Sequence, residues 1–75
     1  MENLTKKEKE LVAIGAALGS NCIPCIIYHI KESKRLGITI EQIKDAVAIA
    51  DKVKKVPADK VLAAAHSQLK ENIEL

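Results

Sequence analysis

Aromatic residues are almost missing from this 75-residue chain: it has no tryptophan, no phenylalanine and a single tyrosine, Tyr28. Without aromatic platforms there is nothing on which nucleic-acid bases could stack. Charge of one sign is also missing, since 12 basic and 10 acidic residues are interspersed for a net charge of +2. No concentrated field marks a phosphate-binding surface, and nucleic-acid binding is not expected. Cysteine is scarce too. Cys22 and Cys25 are the only pair, and a bridge between them closes a loop too small to staple a fold. Residues Met1 to Lys7 lack the basic-then-apolar layout of a signal peptide. A C-x-x-C pair without such a leader fits a reducing cytosol and reversible thiol chemistry, so a cytoplasmic location is expected.

What the chain has in abundance is Ala, Ile, Leu and Val, which bring the apolar share to 48%. So short a chain makes one domain at most, residues 1–75, and buries only about 60% of the surface exposed when unfolded. That much aliphatic surface exceeds what one small helical unit can hide, so a homo-oligomer is expected. The 20 residues from Leu11 to Ile30 carry no formal charge with His29 neutral, enough in length to span a bilayer. The run is interrupted by Gly19-Ser20-Asn21-Cys22-Ile23-Pro24, a helix stop followed by a helix start. Such a break at mid-bilayer would expose backbone polar groups to lipid. Two helices buried within an oligomer are expected instead, and no membrane span.

The periodicity predicts an all-α fold of about four helices. Thr5 with Glu8 forms a capping box for helix one, whose stripe is Leu11, Ile14, Ala17 and Leu18, widened by Val12 and Ala16, with Gly19 as its cap. Helix two is predicted from Ser20 or Asn21 to about Leu36, with Pro24 in its first turn and Gly37 ending it. Thr39 with Gln42 opens helix three, buried through Ile43, Ala46, Val47, Ala50 and Val53 and running to Val56. Pro57 is expected to close it and open helix four, with Val61, Leu62, Ala65 and Leu69 facing inward and a fraying tail from Glu71.

Chemistry is concentrated at the start of helix two. At about 100° per residue, Cys22, Cys25 and His29 point near 0°, 300° and 340°, one narrow face. In the first turn, unpaired N–H groups and the positive helix end stabilise a thiolate. His29, one turn beyond Cys25, is a candidate base, so the segment supplies a nucleophile, a resolving thiol and a proton acceptor. The competing readings are two inert cysteines acting as small hydrophobes, or two cysteines and a histidine as three zinc ligands. His66 could join such a site only if helix four folds back over helix two, and it otherwise reads as a surface or packing histidine. Glu10 belongs to a charged N-terminal segment and reads as a solvated position. It is also the last charge before the uncharged run, where a carboxylate could turn inward toward His29.

The spacing Glu10-x11-Cys22-x2-Cys25-x3-His29, continued through Arg35-Leu36-Gly37-Ile38-Thr39-Ile40-Glu41-Gln42-Ile43, resembles the AhpD-like alkylhydroperoxidases of the carboxymuconolactone decarboxylase family. The likeness covers roughly Leu4 to Val56. It implies an all-helical fold assembling as trimers, hexamers or larger rings. It also implies that Cys25 is the peroxidatic thiol, Cys22 the resolving thiol, and Glu10 with His29 a proton relay. The substrate implied is a hydroperoxide, the reductant a dithiol or lipoyl-type partner, and no bound cofactor or metal is called for. The sequence departs from the family at Ile23 and Pro24, where some active relatives carry a polar or histidine side chain, and it lacks the N-terminal half of the larger AhpD enzymes. Helix-start electrostatics alone would favour Cys22 as the attacking thiol, whereas the relay favours Cys25, the nearer to His29.

Overall fold

In this computed structural model, the backbone of residues 3–74 and the side chains of residues 3–70 are described. Three helices follow one another: α1 (Lys6–Gly19), α2 (Ile23–Arg35) and α3 (Ile40–Glu74). The described residues contain no strand.

Local chemistry sets the boundaries. The Thr5 hydroxyl accepts the Glu8 N–H at 3.1 Å, and the Glu8 carboxylate accepts the Thr5 N–H at 2.8 Å. Those backbone and hydroxyl hydrogen bonds hold the Glu8 carboxyl below its usual pKa. The same reciprocal box opens α3, where Thr39 and Gln42 exchange two hydrogen bonds of 3.1 Å. α2 ends at Leu36, with Gly37 in the left-handed region at φ +86°. The Gly37 N–H donates to the Lys34 carbonyl and the Ile38 N–H to the Ser33 carbonyl, each at 3.0 Å, which is the Schellman arrangement.

α1 ends the same way, one residue later than expected. Ser20 is the cap, and Asn21, not Gly19, takes the left-handed conformation at φ +58°. Asparagine tolerates this region better than other side chains. Asn21 therefore belongs to the end of α1, and the N-cap of α2 is Cys22 rather than Ser20 or Asn21.

The core is small. Ile14, Ile38 and Ile43 are buried, and Leu11, Ile26, Ile30, Ala46 and Val47 pack around them. Ala17 is also buried, whereas Val12 and Ala16 face outward.

The largest correction concerns Pro57. The chain does not turn there into a fourth helix; α3 continues through Pro57 as one helix of 35 residues. Proline cannot donate to the carbonyl four residues back, so the Val53 carbonyl loses its helical partner. Nothing before Pro57 offers a helix stop, because Val53-Lys54-Lys55-Val56 contains no glycine or asparagine. After it, Leu62-Ala63-Ala64-Ala65 are strong helix formers. Val61, Leu62, Ala65 and Leu69, expected to face inward, are exposed, as is Val53. The tail expected from Glu71 is helical backbone as far as Glu74, and Leu75 lies outside the described residues. The molecule is accordingly long, 59 × 23 × 21 Å.

Candidate functional site

The junction between α1 and α2 fixes Cys22 twice. Its N–H donates to the Ala17 carbonyl at 3.0 Å as the last bond of the α1 cap, and its carbonyl accepts the Ile26 N–H at 3.0 Å as the first of α2. One residue thus closes one helix and opens the next. Cys25 follows in the first turn, and the two sulfurs form a disulfide across a Cα separation of 5.2 Å. Both cysteines are partly exposed.

Pro24 lies between them at the second helical position and has no N–H to leave unpaired. The free donors at this helix start are therefore the N–H groups of Ile23 and Cys25. Cys22 occupies the N-cap position of α2, where its side chain, engaged in the disulfide, makes no capping hydrogen bond. The angular reading that set Cys22 on the helical face is replaced by this geometry, since Cys22 has extended backbone at φ −92°, ψ 101°.

His29 stands one turn beyond Cys25 on α2, and residues so related have Cβ atoms about 6 Å apart. Its Nδ1 is 2.8 Å from the Glu10 carboxylate of α1, the one link that brings the two helices' polar groups together at this end. The side chains of His29 and Glu10 retain 27% and 17% of their exposure, so the pair is sheltered but reachable. With Glu10 ionised and the imidazole neutral, Nδ1–H donates to the carboxylate, and Nε2 is left with its lone pair free. Tyr28 packs edge-on against the imidazole, with ring centroids 5.0 Å apart.

Two supporting residues carried no sequence signal of their own. Ser33 is fully buried, and its hydroxyl donates to the His29 carbonyl at 2.7 Å. A serine bonding back one turn is an ordinary helical habit, which is why it does not stand out in the sequence. Lys54, from α3, reaches the Leu18 carbonyl at 3.3 Å and also donates to the Asn21 side chain. It bolts α3 to the turn that carries Cys22. Beside that turn lies a cleft of about 300 Å³ bordered by Leu18, Cys22, Ile23, Ile26 and Lys54.

Among the described residues, no three His, Cys, Asp or Glu side chains are grouped closely enough to hold a metal ion. His66 sits exposed on the far half of α3, which does not fold back over α2. No helix among the described residues is long and apolar enough to cross a membrane.

Over 47 residues, 63% of its length, the chain is 40% identical to a Paracoccus denitrificans protein described as "Uncharacterized protein 4 in cox locus". The chain spans about two-fifths of that relative's length, 42%. No solved structure matches. The sequence model of the carboxymuconolactone decarboxylase family matches residues 2–67, a stretch that includes the cysteine pair, His29 and Glu10. With that match spanning most of its length, the chain belongs to the carboxymuconolactone decarboxylase family.

Proposed function

We propose that the protein is a thiol-dependent peroxidase of the AhpD type, acting on organic hydroperoxides as a single domain over residues 1–75. The observation that carries the reading is the 2.8 Å Glu10–His29 bond, made on the helix whose first turn holds Cys22 and Cys25 within disulfide reach.

In the proposed cycle, Glu10 holds Nδ1–H of His29, so that Nε2 can take the proton of the Cys25 thiol. The Cys25 thiolate attacks one peroxide oxygen. An S–O bond forms, the O–O bond breaks, and the alkoxide leaves as alcohol with the proton returned by His29. Cys25 is then a sulfenic acid. The Cys22 thiol attacks its sulfur, the disulfide S–S bond forms as the S–O bond breaks, and the departing hydroxide takes the Cys22 proton and leaves as water. A dithiol, of the lipoyl class in the family, restores both thiols by exchange and is itself oxidised. Per turnover, one hydroperoxide and one dithiol give one alcohol, one water and one disulfide. The cysteine at the helix start and the cysteine nearer His29 thus divide the work. Helix-start electrostatics support Cys22 as a good resolving thiolate, and the relay supports Cys25 as the attacking one. The continual return to dithiol suits the reducing cytosol.

The test is to mix reduced protein with cumene hydroperoxide and follow each cysteine by mass spectrometry. Wild type is expected to form the Cys22–Cys25 disulfide. Cys22→Ser should accumulate a sulfenic acid on Cys25 that dimedone traps, and Cys25→Ser should stay reduced. Absence of disulfide in wild type, with a control peroxidase reacting, removes the peroxidase reading. A reactive Cys25→Ser reverses the cysteine assignment.

A further inference from the structure

The cleft beside the Cys22 turn has a composition that selects its occupant. It holds about 300 Å³, and most of its wall is aliphatic, from Ala17, Leu18, Ile23 and Ile26. Into this wall Cys22 brings one sulfur and Lys54 one positive charge, while Asn21 completes the border. No carboxylate lines the cleft, and neither Cys25 nor His29 does. The two sulfurs of the disulfide therefore meet different surroundings. Cys25 stands one turn from His29, where the proposed cycle brings the hydroperoxide. Cys22 opens onto the aliphatic cleft.

Lys54 sets the sign of what fits there. Among the described residues its ammonium pairs with no carboxylate, whereas its neighbour Lys55 is paired with Asp51. Its hydrogen bonds go to the Leu18 carbonyl and the Asn21 side chain, two neutral acceptors on the border of the cleft. An ammonium has three donors, so one is left for a ligand. Hydrogen bonds between charged partners are roughly twice as strong as neutral ones, which favours a carboxylate as the third acceptor. Size follows from volume. At about 30 Å³ for each water-sized group, the cleft has room for about ten non-hydrogen atoms.

We infer that this cleft is where the reductant enters, and that it selects an aliphatic dithiol ending in a carboxylate. The chain of the ligand lies along Leu18, Ile23 and Ile26, its carboxylate meets Lys54, and its sulfur attacks Cys22. The inference rests on the thiol cycle proposed above and adds where the reductant binds, its chemical class and the sulfur it strikes. The first ligand thiolate forms an S–S bond to Cys22 as the Cys22–Cys25 bond breaks. The electron pair leaves on Cys25, which takes a proton through His29. The second ligand thiolate then attacks the first ligand sulfur, closing the ligand's own disulfide and releasing Cys22, which is protonated in turn. Two electrons and two protons thus pass from the dithiol to the cysteine pair. Attack at Cys22 also expels the better placed leaving group, because exchange is faster when the departing thiol is the more acidic and Cys25 has His29 beside it.

The test starts from the oxidised full chain and uses no hydroperoxide, so its failure and that of the peroxide reading are told apart. Reduction of the disulfide is timed with mercaptohexanoate and with mercaptohexanol, equal in chain length and different in charge. Each rate is normalised to the same thiol's reaction with an uncharged model disulfide. At low salt, wild type is expected to react about five-fold faster with the carboxylate. Lys54→Met should bring that ratio close to one, and Lys54→Arg should keep it. A loosened Cys22 turn would act on both thiols alike, so the ratio reads recognition. Lys60→Met removes the same charge from an exposed position on the far half of α3 and should keep the wild-type ratio. Ile23→Ser should cut the advantage of mercaptohexanol over mercaptoethanol about three-fold. The mixed disulfide trapped by acid quench is expected on Cys22. A wild-type ratio near one overturns the inference, as does an equal fall in Lys54→Met and Lys60→Met, an Ile23→Ser without effect, or a mixed disulfide on Cys25. A disulfide that reacts with neither thiol removes the cycle and the inference together.

Discussion

The two halves of α3 differ in what surrounds them, though both are helical. From Ile40 to Ala50 the helix buries Ile43 and half-buries Ala46, Val47 and Ala50 against α1 and α2. From Pro57 to Lys70 it buries nothing. The near half holds the site together, because Lys54 at its end ties down the turn before Cys22. The far half touches no part of the site. Burial and the ties to the site are thus confined to the first half of a single continuous helix.

The largest expected contrast is in the core. Ile14 is fully buried, and Ile14→Ala should destabilise by about 2–5 kcal/mol through lost burial and the cavity left behind. Val61→Ala, 70% exposed, should change stability by no more than about 0.5 kcal/mol. Thermal unfolding separates them: the Ile14 variant should melt well below wild type and the Val61 variant close to it. Equal deficits would erase the difference between the two halves.

Pro57→Ala comes next. It restores an N–H donor to the Val53 carbonyl and removes the ring's clash, a gain of up to about 3 kcal/mol for the helix. Circular dichroism should show more helix and a higher Tm. A lower Tm would mean that the proline ring supplies packing the alanine cannot.

Much of this could be read from the residues in advance, and the failures share one cause. Both capping boxes, Thr5 with Glu8 and Thr39 with Gln42, were legible because their signal lies within four residues. Gly37 was legible for the same reason. Asn21 was misread as opening α2 because asparagine serves both helix starts and left-handed helix ends, and only the hydrogen bonds of Asn21 and Cys22 back to Leu18 and Ala17 decide between them. Pro57 was misread because a proline can stop a helix or merely weaken it, and what decides lies outside the local pattern. The inward stripe assigned to Val61, Leu62, Ala65 and Leu69 was real as a pattern but has no partner within one chain. At the site, the spacing of Glu10, Cys22, Cys25 and His29 was visible, while Ser33 and Lys54 act through tertiary contacts that no spacing encodes.

Smaller effects sharpen the same division. Lys54→Met removes two solvent-exposed hydrogen bonds and should loosen the Cys22 turn by about 1 kcal/mol, the net scale of an ordinary hydrogen bond, and speed local amide exchange at Asn21 and Cys22. Exchange in α2 beyond Ile30 should not change. Acid should weaken one cap and one surface pair. Hydrogen bonds to Thr5 lower the Glu8 carboxyl, and the hydrogen bond from Arg35 lowers that of Glu32. A carboxyl lowered in the folded state stabilises it above the unfolded pKa, and that contribution fades as pH falls below the ordinary carboxylate range through the folded value. Both groups are exposed, so the loss should be slight and diminished by salt. An increase in stability on acidification would contradict the sign.

The central claim is that Glu10, acting through His29, readies Cys25 for attack. It is tested most directly by the rate of cumene hydroperoxide reaction with reduced protein as a function of pH, in wild type and Glu10→Gln. The account predicts that Glu10→Gln slows the reaction near neutrality by about 10²-fold or more, with the deficit narrowing at alkaline pH as the thiol ionises unaided. Equal rates for the two proteins across the pH range would contradict it.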